Sequence, residues 1–325
     1  MLILGSAPEG VAQYNRKSIK NNNKRIASYR GKKSGFGKHN VYSGVGFSVN
    51  ALNYFGDLSP TPTKFSTDIS FTSPSFGISF FHRFGPRYTL QAQYLYASLK
   101  GSDSESADAK DLSNGKFRNQ RNLSFRNRIH EISVVAYFDL FENDATYISR
   151  VKWTPYAYLG VAAFYHNPQA QAPSKDLKGK ALAEAGQWVD LQPLKTEGVS
   201  YSLIQFAIPF GAGARFRINE VMDLWADLGF RYTFTDYLDD VSGNYVNPNS
   251  LSTLGQAMAY RTNELPGYPT ATQTVPSELA GVNVQNGFGR SGDKRGSPGQ
   301  NDIYMVTSIR LTYILGATFH KAKFR

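Results

Sequence analysis

Eight stretches of this chain alternate apolar and polar residues with a period of two, the signature of β-strands with one apolar face. From Tyr88, the residues Tyr88, Leu90, Ala92, Tyr94 and Tyr96 alternate with Thr89, Gln91 and Gln93. From Met222, Leu224, Ala226, Leu228, Phe230, Tyr232 and Phe234 oppose Trp225, Asp227, Gly229, Arg231, Thr233 and Thr235. The same rhythm runs through 40–56, 74–84, 122–141, 151–168, 201–218 and 302–315, where Met305, Ile309, Leu311 and Tyr313 form the apolar set of the last stretch. Such a pattern predicts an even-stranded, antiparallel, all-β fold.

These stretches, about 11 to 20 residues long, exceed the usual ~5–6 of globular strands and suit tilted strands that cross a bilayer and extend past it. Their connections alternate in length. Residues 85–86, 142–150 and 219–220 are short, whereas 57–73, 101–121, 169–200 and 239–301 are long. All short turns therefore fall at one rim and all long loops at the other. The expected architecture is an eight-stranded antiparallel transmembrane β-barrel with short periplasmic turns, long outer loops and both termini in the periplasm, in the outer membrane of a Gram-negative bacterium and against its lipids, lipopolysaccharide included. No window approaches the ~18 consecutive apolar residues of a spanning helix, so a helical membrane protein is excluded.

A water-soluble barrel shares the alternation but turns it inside out. Three features favour the membrane sense: the apolar face is continuous over five or more alternate positions, it carries aromatics near both ends, and the opposite face is rich in Gly, Ser and Ala. In that sense Glu131, Asp139, Arg215, Asp227, Arg231 and Arg310 face the lumen. Eight strands enclose a space that side chains fill, so these charges are expected to pair as a structural network rather than line a pore.

The net charge of +11 is concentrated at one end. Arg16, Lys17, Lys20, Lys24, Arg25, Arg30, Lys32, Lys33 and Lys38 occur with no acid between them. The division expected is a truncated signal-like segment and basic periplasmic arm over 1–39, a barrel over 40–315 and a short tail over 316–325. Arg16, Lys17, Lys20, Lys24 and Arg25 of the arm, with Glu142, Asn143 and Asp144 of the 142–150 turn, are the candidate partner-binding residues. A cationic, solvated arm that orders on an acidic protein partner is expected, not a nucleic-acid-binding one.

Chemistry-bearing motifs are sparse. Absence of cysteine excludes a thiolate metal site, a disulfide scaffold and a Cys nucleophile. The five histidines, His39, His82, His130, His166 and His320, are scattered over different elements, so no catalytic constellation, cofactor or metal is expected. Asp236, Asp239 and Asp240 form an acidic group that could bind calcium, but they lack the ligand ladder of an EF-hand and read better as turn formers. The glycine-rich stretch 287–292 lacks the Gly-Lys-Ser/Thr ending of a phosphate loop.

Several motifs then carry a resemblance. NYFGDL at 53–58, RNLSFR at 121–126 followed by RIHEI at 128–132, TPY at 154–156, LQPLKTEG at 191–198, QFAIPFG at 205–211 and above all FRYTFTDYLDDVSG at 230–243 occur in order. Together they resemble the PorG-type outer-membrane barrels of the type IX secretion system, a family catalogued as a domain of unknown function. The resemblance spans roughly residues 40–315 and implies a non-enzymatic barrel that docks the periplasmic ring of a protein-secretion and gliding apparatus, built from a PorK-like lipoprotein and a PorN-like partner. A general structural or adhesion barrel acting through its long loops, and a lipid-modifying barrel enzyme, are the alternatives.

Overall fold

The computed structural model describes residues 41–59, 72–107, 110–111, 115–143, 147–265, 289 and 291–315. Eight long strands form the wall: β1 (Tyr42–Phe55), β2 (Ser73–Arg83), β3 (Tyr88–Ser102), β4 (Ser124–Asp139), β5 (Trp153–Gln171), β7 (Ile204–Arg217), β8 (Met222–Thr233) and β9 (Ile303–Leu315). A ninth, β6 (Trp188–Asp190), is a three-residue addition to the long-loop end of β5 and lies outside the ring. The order β4-β3-β2-β1-β9-β8-β7-β5 closes through a β4–β5 ladder, every pairing antiparallel. The chain is thus an all-β, eight-stranded antiparallel barrel.

The side-chain alternation resolves in the membrane sense. Over the middle of the wall, Phe47, Ile78, Leu90, Ile132, Val161, Phe206 and Ile309 point outward and are exposed, Val161 to 66%. Their register neighbours Ser48, Ser79, Gln91, Ser133 and Arg310 are buried inside. A belt of this size around an entire wall, with no charged residue at its outward positions, is far more apolar surface than a soluble monomer exposes and matches a hydrocarbon environment. The belt ends in aromatics, from Tyr88 to Tyr96 on β3. Eight residues at about 3.3 Å each, tilted by about 40°, give a band roughly 20 Å tall, close to that of outer-membrane barrels.

Toward the long-loop rim the alternation inverts. On β4 the inward positions Glu131, Ser133 and Asp139 are polar, beside the buried Val135 and Tyr137, while nearer the loops the apolar Phe125 and Ile129 flank the buried Asn127. The outward positions follow the opposite course: Ile132, Val134 and Phe138 give way to His130, Arg128 and Arg126. Leu95, Leu99, Phe164, Leu52 and Val306 join Phe125 and Ile129 in one interior cluster. The wall therefore continues past the lipid as a water-exposed barrel with an apolar core. The expectation was an inner face rich in Gly, Ser and Ala; within the belt the lumen instead also holds the bulky Val135, Tyr137, Tyr156, Tyr158 and Trp225. In the upper third, where the outer face meets water, burial drives apolar side chains inward.

Met305 also departs from expectation. It sits at an outward register position, between Asn53 and Phe230, yet is buried. Strand ends differ from the sequence reading as well: β3 runs on to Ser102 and β5 to Gln171, while β8 stops at Thr233.

Glycine is required where the wall narrows. Gly211 and Gly229 face one another across β7 and β8, and a Cβ at Gly229 would lie 1.8 Å from the Tyr158 hydroxyl. The Tyr158 ring occupies the space that two absent side chains leave. Gly229→Val should overpack this layer at a cost of about 1–3 kcal/mol. The expected readout is a lower temperature for conversion of the compact barrel band to the unfolded band on gels.

Candidate functional site: a filled lumen under an interlocked cap

The lumen is filled in layers. At the short-turn end, Asp139 accepts from Arg83 at 2.7 Å and also pairs with Arg215, while Arg83 donates on to the Pro86 carbonyl. Beside it Arg150 pairs with Asp223 at 2.7 Å and donates to the carbonyls of Asn219 and Glu220, tying the β4–β5 turn to the β7–β8 turn. The middle layer is built on Trp225, which is fully buried. Arg215 and Arg310 stack over its ring at 5.1 and 5.4 Å, and Tyr137 and Tyr156 pack against it. Asp227 accepts from the Tyr156 and Tyr158 hydroxyls at 3.0 and 3.2 Å and faces Arg310 at 3.4 Å. Higher up, Glu131 faces Arg231 at 3.5 Å and accepts from Tyr304 at 2.6 Å.

The six charges expected in the lumen are all there, buried, and in three oppositely charged pairs: Asp139 with Arg215, Asp227 with Arg310, Glu131 with Arg231. Buried ion pairs are costly to desolvate, and the added hydroxyl and amide partners offset that cost. Sequence reading missed Arg83, which follows the alternation of β2 as closely as the others do, and the tyrosines of the lumen, whose kind it placed on the outward face.

The long loops complete the closure. Arg121, at the end of a short helix (Gly115–Arg121), donates to both carboxylate oxygens of Asp103 at 2.8 Å and to the backbone carbonyls of Asp57 and Arg295. Arg295 in turn pairs with Glu197 at 2.8 Å and with Asp240 at 3.5 Å. Two guanidinium groups thus bind all four long loops into one cap, using donors that point in several directions at once. Beneath it, Leu238 and Val241 of the fourth long loop insert among Leu58, Leu123 and Phe125. The described part of the fourth long loop accordingly folds over the lumen. A gap of about 10 Å³ remains between Leu58, Leu123, Asp239 and Arg295, room for about one water.

The TDYLDDVSG segment has its explanation in this cap. Asp240 has a φ of +66°, a left-handed turn that Asp tolerates, and the turn sends adjacent carboxylates to different partners. Asp239 accepts from the amides of Leu58 and Val241; Asp240 accepts from Thr196 and Tyr201; Asp236 accepts from Ser242 at 2.6 Å. The three do not converge, and among the described residues no group of acids and histidines is placed to hold a metal ion. Asp302 lies against Asp239, with Tyr54 donating to Asp302 at 2.8 Å.

Burial raises the proton affinity of this group. Asp236 is pushed up to about 7 and Asp240 to about 6, first by desolvation. Asp239 and Asp302 are raised by desolvation and then by a neighbouring carboxylate, Asp57 for Asp239 and Asp239 for Asp302.

The remaining expected residues are dispersed. Glu142 is exposed at the short-turn rim, 3.8 Å from Arg87. Asn143 is buried, its backbone N–H donating to the Pro86 carbonyl that Arg83 also holds, so its side chain offers no docking contact. Asp144 and the arm residues Arg16, Lys17, Lys20, Lys24 and Arg25 lie outside the described residues. Of the histidines, His130 is exposed and bonded to Tyr94 at 2.8 Å, and His166 is buried between Asn127 and the Ser202 carbonyl. His82 meets Ser43 at 2.7 Å on the outward face, and among the described residues no carboxylate is bonded to its ring.

Two outcomes follow. Arg121→Met should cost about 3–5 kcal/mol by leaving Asp103 short of its main partner in a buried site, and Arg121→Lys should rescue only part of it; limited proteolysis of the loops measures both. Because the folded-state values of Asp236, Asp239, Asp240 and Asp302 lie above the ordinary carboxylate value of about 4, their protonation favours the closed cap. For Asp240 and Asp236 that contribution is full below about pH 4 and is lost as pH rises through about 6 and about 7. Hydrogen exchange in peptides 234–265, corrected for intrinsic rates, should show more protection at pH 5 than at pH 8, with a smaller difference in Asp236→Asn.

A family model described as a domain of unknown function, DUF6089, matches residues 37–183, somewhat under half of the chain. No curated protein matches. Among solved structures, the chain is similar to neisserial surface protein A, at 10% identity and a TM-score of 0.36 over 83% of this chain and 96% of that one. It is likewise similar to Ail, the attachment invasion locus protein of Yersinia pestis, at 9% identity and 0.33 over 84% and 97%, and to a major outer membrane protein of Thermus thermophilus, at 12% identity and 0.38 over 84% and 99%.

Proposed function

We propose that this protein is a non-enzymatic outer-membrane anchor that docks a periplasmic assembly, the ring of a type IX secretion and gliding apparatus, through its short-turn rim and its N-terminal basic arm. The observation that carries this reading is the lumen, which is filled with paired charges and aromatic rings from the Asp139 layer to the Arg121 cap. Among the described residues a lumen so filled leaves no conduit, and a cavity of about 490 Å³ lies instead in the long loops, between Asp176, Lys180, Leu182 and Gln256. That leaves the two rims to act on other molecules. The motifs at 191–198 and 230–243, which resemble PorG-type barrels, build the cap and not a reactive centre. Docking is assigned to the opposite end, where the exposed Glu142 and the nine cations of residues 16–38 are available to a PorK-like lipoprotein and its PorN-like partner. Long-range attraction from such an arm speeds encounter but is screened within about 8 Å at physiological salt, so contacts at the 142–150 turn supply specificity.

A second reading, an adhesion barrel, is favoured by one observation: the cap is interlocked by Arg121 and Arg295 and presents a preorganised surface. Site-specific photo-crosslinking separates the two. A crosslinker at Glu142 should capture ring components in intact cells, whereas one at Lys195, in the third long loop, should not. The reverse pattern would support adhesion. Deleting residues 14–38 should weaken ring retention in a salt-dependent way while the barrel still inserts, and the purified barrel should give no stable conductance in planar bilayers.

A further inference from the structure

We infer that the outward face of β3 and β4 just above the lipid belt is a binding site for a phosphorylated lipid headgroup, lipid A under the orientation proposed above. Three cations meet there. Lys100 lies directly opposite Arg126 in the β3–β4 register, and Arg128, two residues along the same face, lies opposite Ser98. Cross-strand partners are about 5 Å apart at Cβ and same-face neighbours about 7 Å, so the three charges fall within one headgroup's reach. Lys100 and Arg128 are exposed, and among the described residues no carboxylate pairs with any of the three. Asp190, which pairs in register with Gln169, accepts from it at 2.6 Å, and Gln169 presents its oxygen to Arg126 at 3.0 Å.

Position makes this patch more than a solvated surface. Immediately below it on the same face, Tyr96, His130 and Tyr165 form an aromatic row, with ring centroids 5.0 and 6.4 Å from His130, and below that Ile132 begins the lipid belt. Aromatic rows of this kind sit at the level of the headgroups, which places the cations at the phosphates. Arg126 is also held in place. Its guanidinium lies 3.7 Å over the Trp188 ring, contributed by the short strand β6, so its planar fork is preorganised. Unpaired like charges side by side are unfavourable on their own. An anion between them reverses the sign, and guanidinium groups bind phosphate through paired, charge-assisted hydrogen bonds.

The test uses the full chain in nanodiscs of neutral phosphatidylcholine containing a small fraction of either lipid A or phosphatidylglycerol, with bound lipid counted by native mass spectrometry. Wild type should retain lipid A in preference to phosphatidylglycerol. The variant Lys100→Gln/Arg126→Gln/Arg128→Gln should retain it at least about tenfold less, the loss of one or more charge-assisted bonds. Lys152→Gln, at the opposite rim, should behave as wild type. Because Arg126 supports Trp188, the double variant Lys100→Gln/Arg128→Gln serves as a second arm and should lose most of the effect with the compact gel band intact. Equal retention by wild type and both variants would overturn the site. Equal retention of phosphatidylglycerol and lipid A by wild type would overturn lipid A as its occupant, and displacement of lipid by millimolar inorganic phosphate would reduce it to a free-anion site. None of these results depends on ring docking, so failure here leaves the crosslinking outcome to judge that reading by itself.

Discussion

In hydrocarbon an unpaired backbone N–H or C=O finds no water, and closing the ring between β4 and β5 answers that constraint for all eight strands at once. Closure fixes the strand number, and the strand number fixes the interior. Eight strands leave a space about the width of the side chains that line it. The rest of the structure is a consequence of having to fill that space with the half of each strand that does not face lipid.

Filling it with charges is safe only if each finds a partner. Asp139 between Arg83 and Arg215, and Asp227 among Arg310, Tyr156 and Tyr158, show how partners are recruited from strands that are far apart in sequence. Trp225 supplies the bulk at the centre, and its flat faces accept two guanidinium groups that would otherwise repel one another. The glycines at 211 and 229 belong to the same arrangement, since they make room for the tyrosine that reaches Asp227.

The inversion along β4 locates the membrane surface within the fold. Below Ile132 the chain solves the problem of lipid outside and polar groups inside; above Ile129 it solves the ordinary problem of water outside and an apolar core. The cap extends that second regime. Its charges are buried at Arg121 and Arg295 because four loops converge there, and its carboxylates are raised first because burial withdraws them, Asp239 wholly and Asp236 in part, from water. The outward cations of Lys100, Arg126 and Arg128 stand where the two regimes meet.

How much of this could be read from the chain depends on the range of the interaction concerned. Strand alternation is local, with period two, so the eight wall strands, the two classes of connection and the lumenal positions of Glu131, Asp139, Arg215, Asp227, Arg231 and Arg310 all follow from the order of residues. Which charge pairs with which could not: Glu131 meets Arg231 and Asp139 meets Arg83 only because the ring brings β4 across from β8 and β2, and no spacing along the chain encodes that approach. The turn at 142–150 was visible as a short connection, but burial of Asn143 depends on Pro86, a residue of a different turn. The acidic run at 236–240 looked like one ligand group, and the left-handed turn at Asp240 distributes it among partners in three of the long loops. Local pattern determined the barrel and its two faces; only the tertiary structure decided the pairings, the closed cap and the place where lipid gives way to water, because each of those is a contact between residues that the sequence keeps far apart.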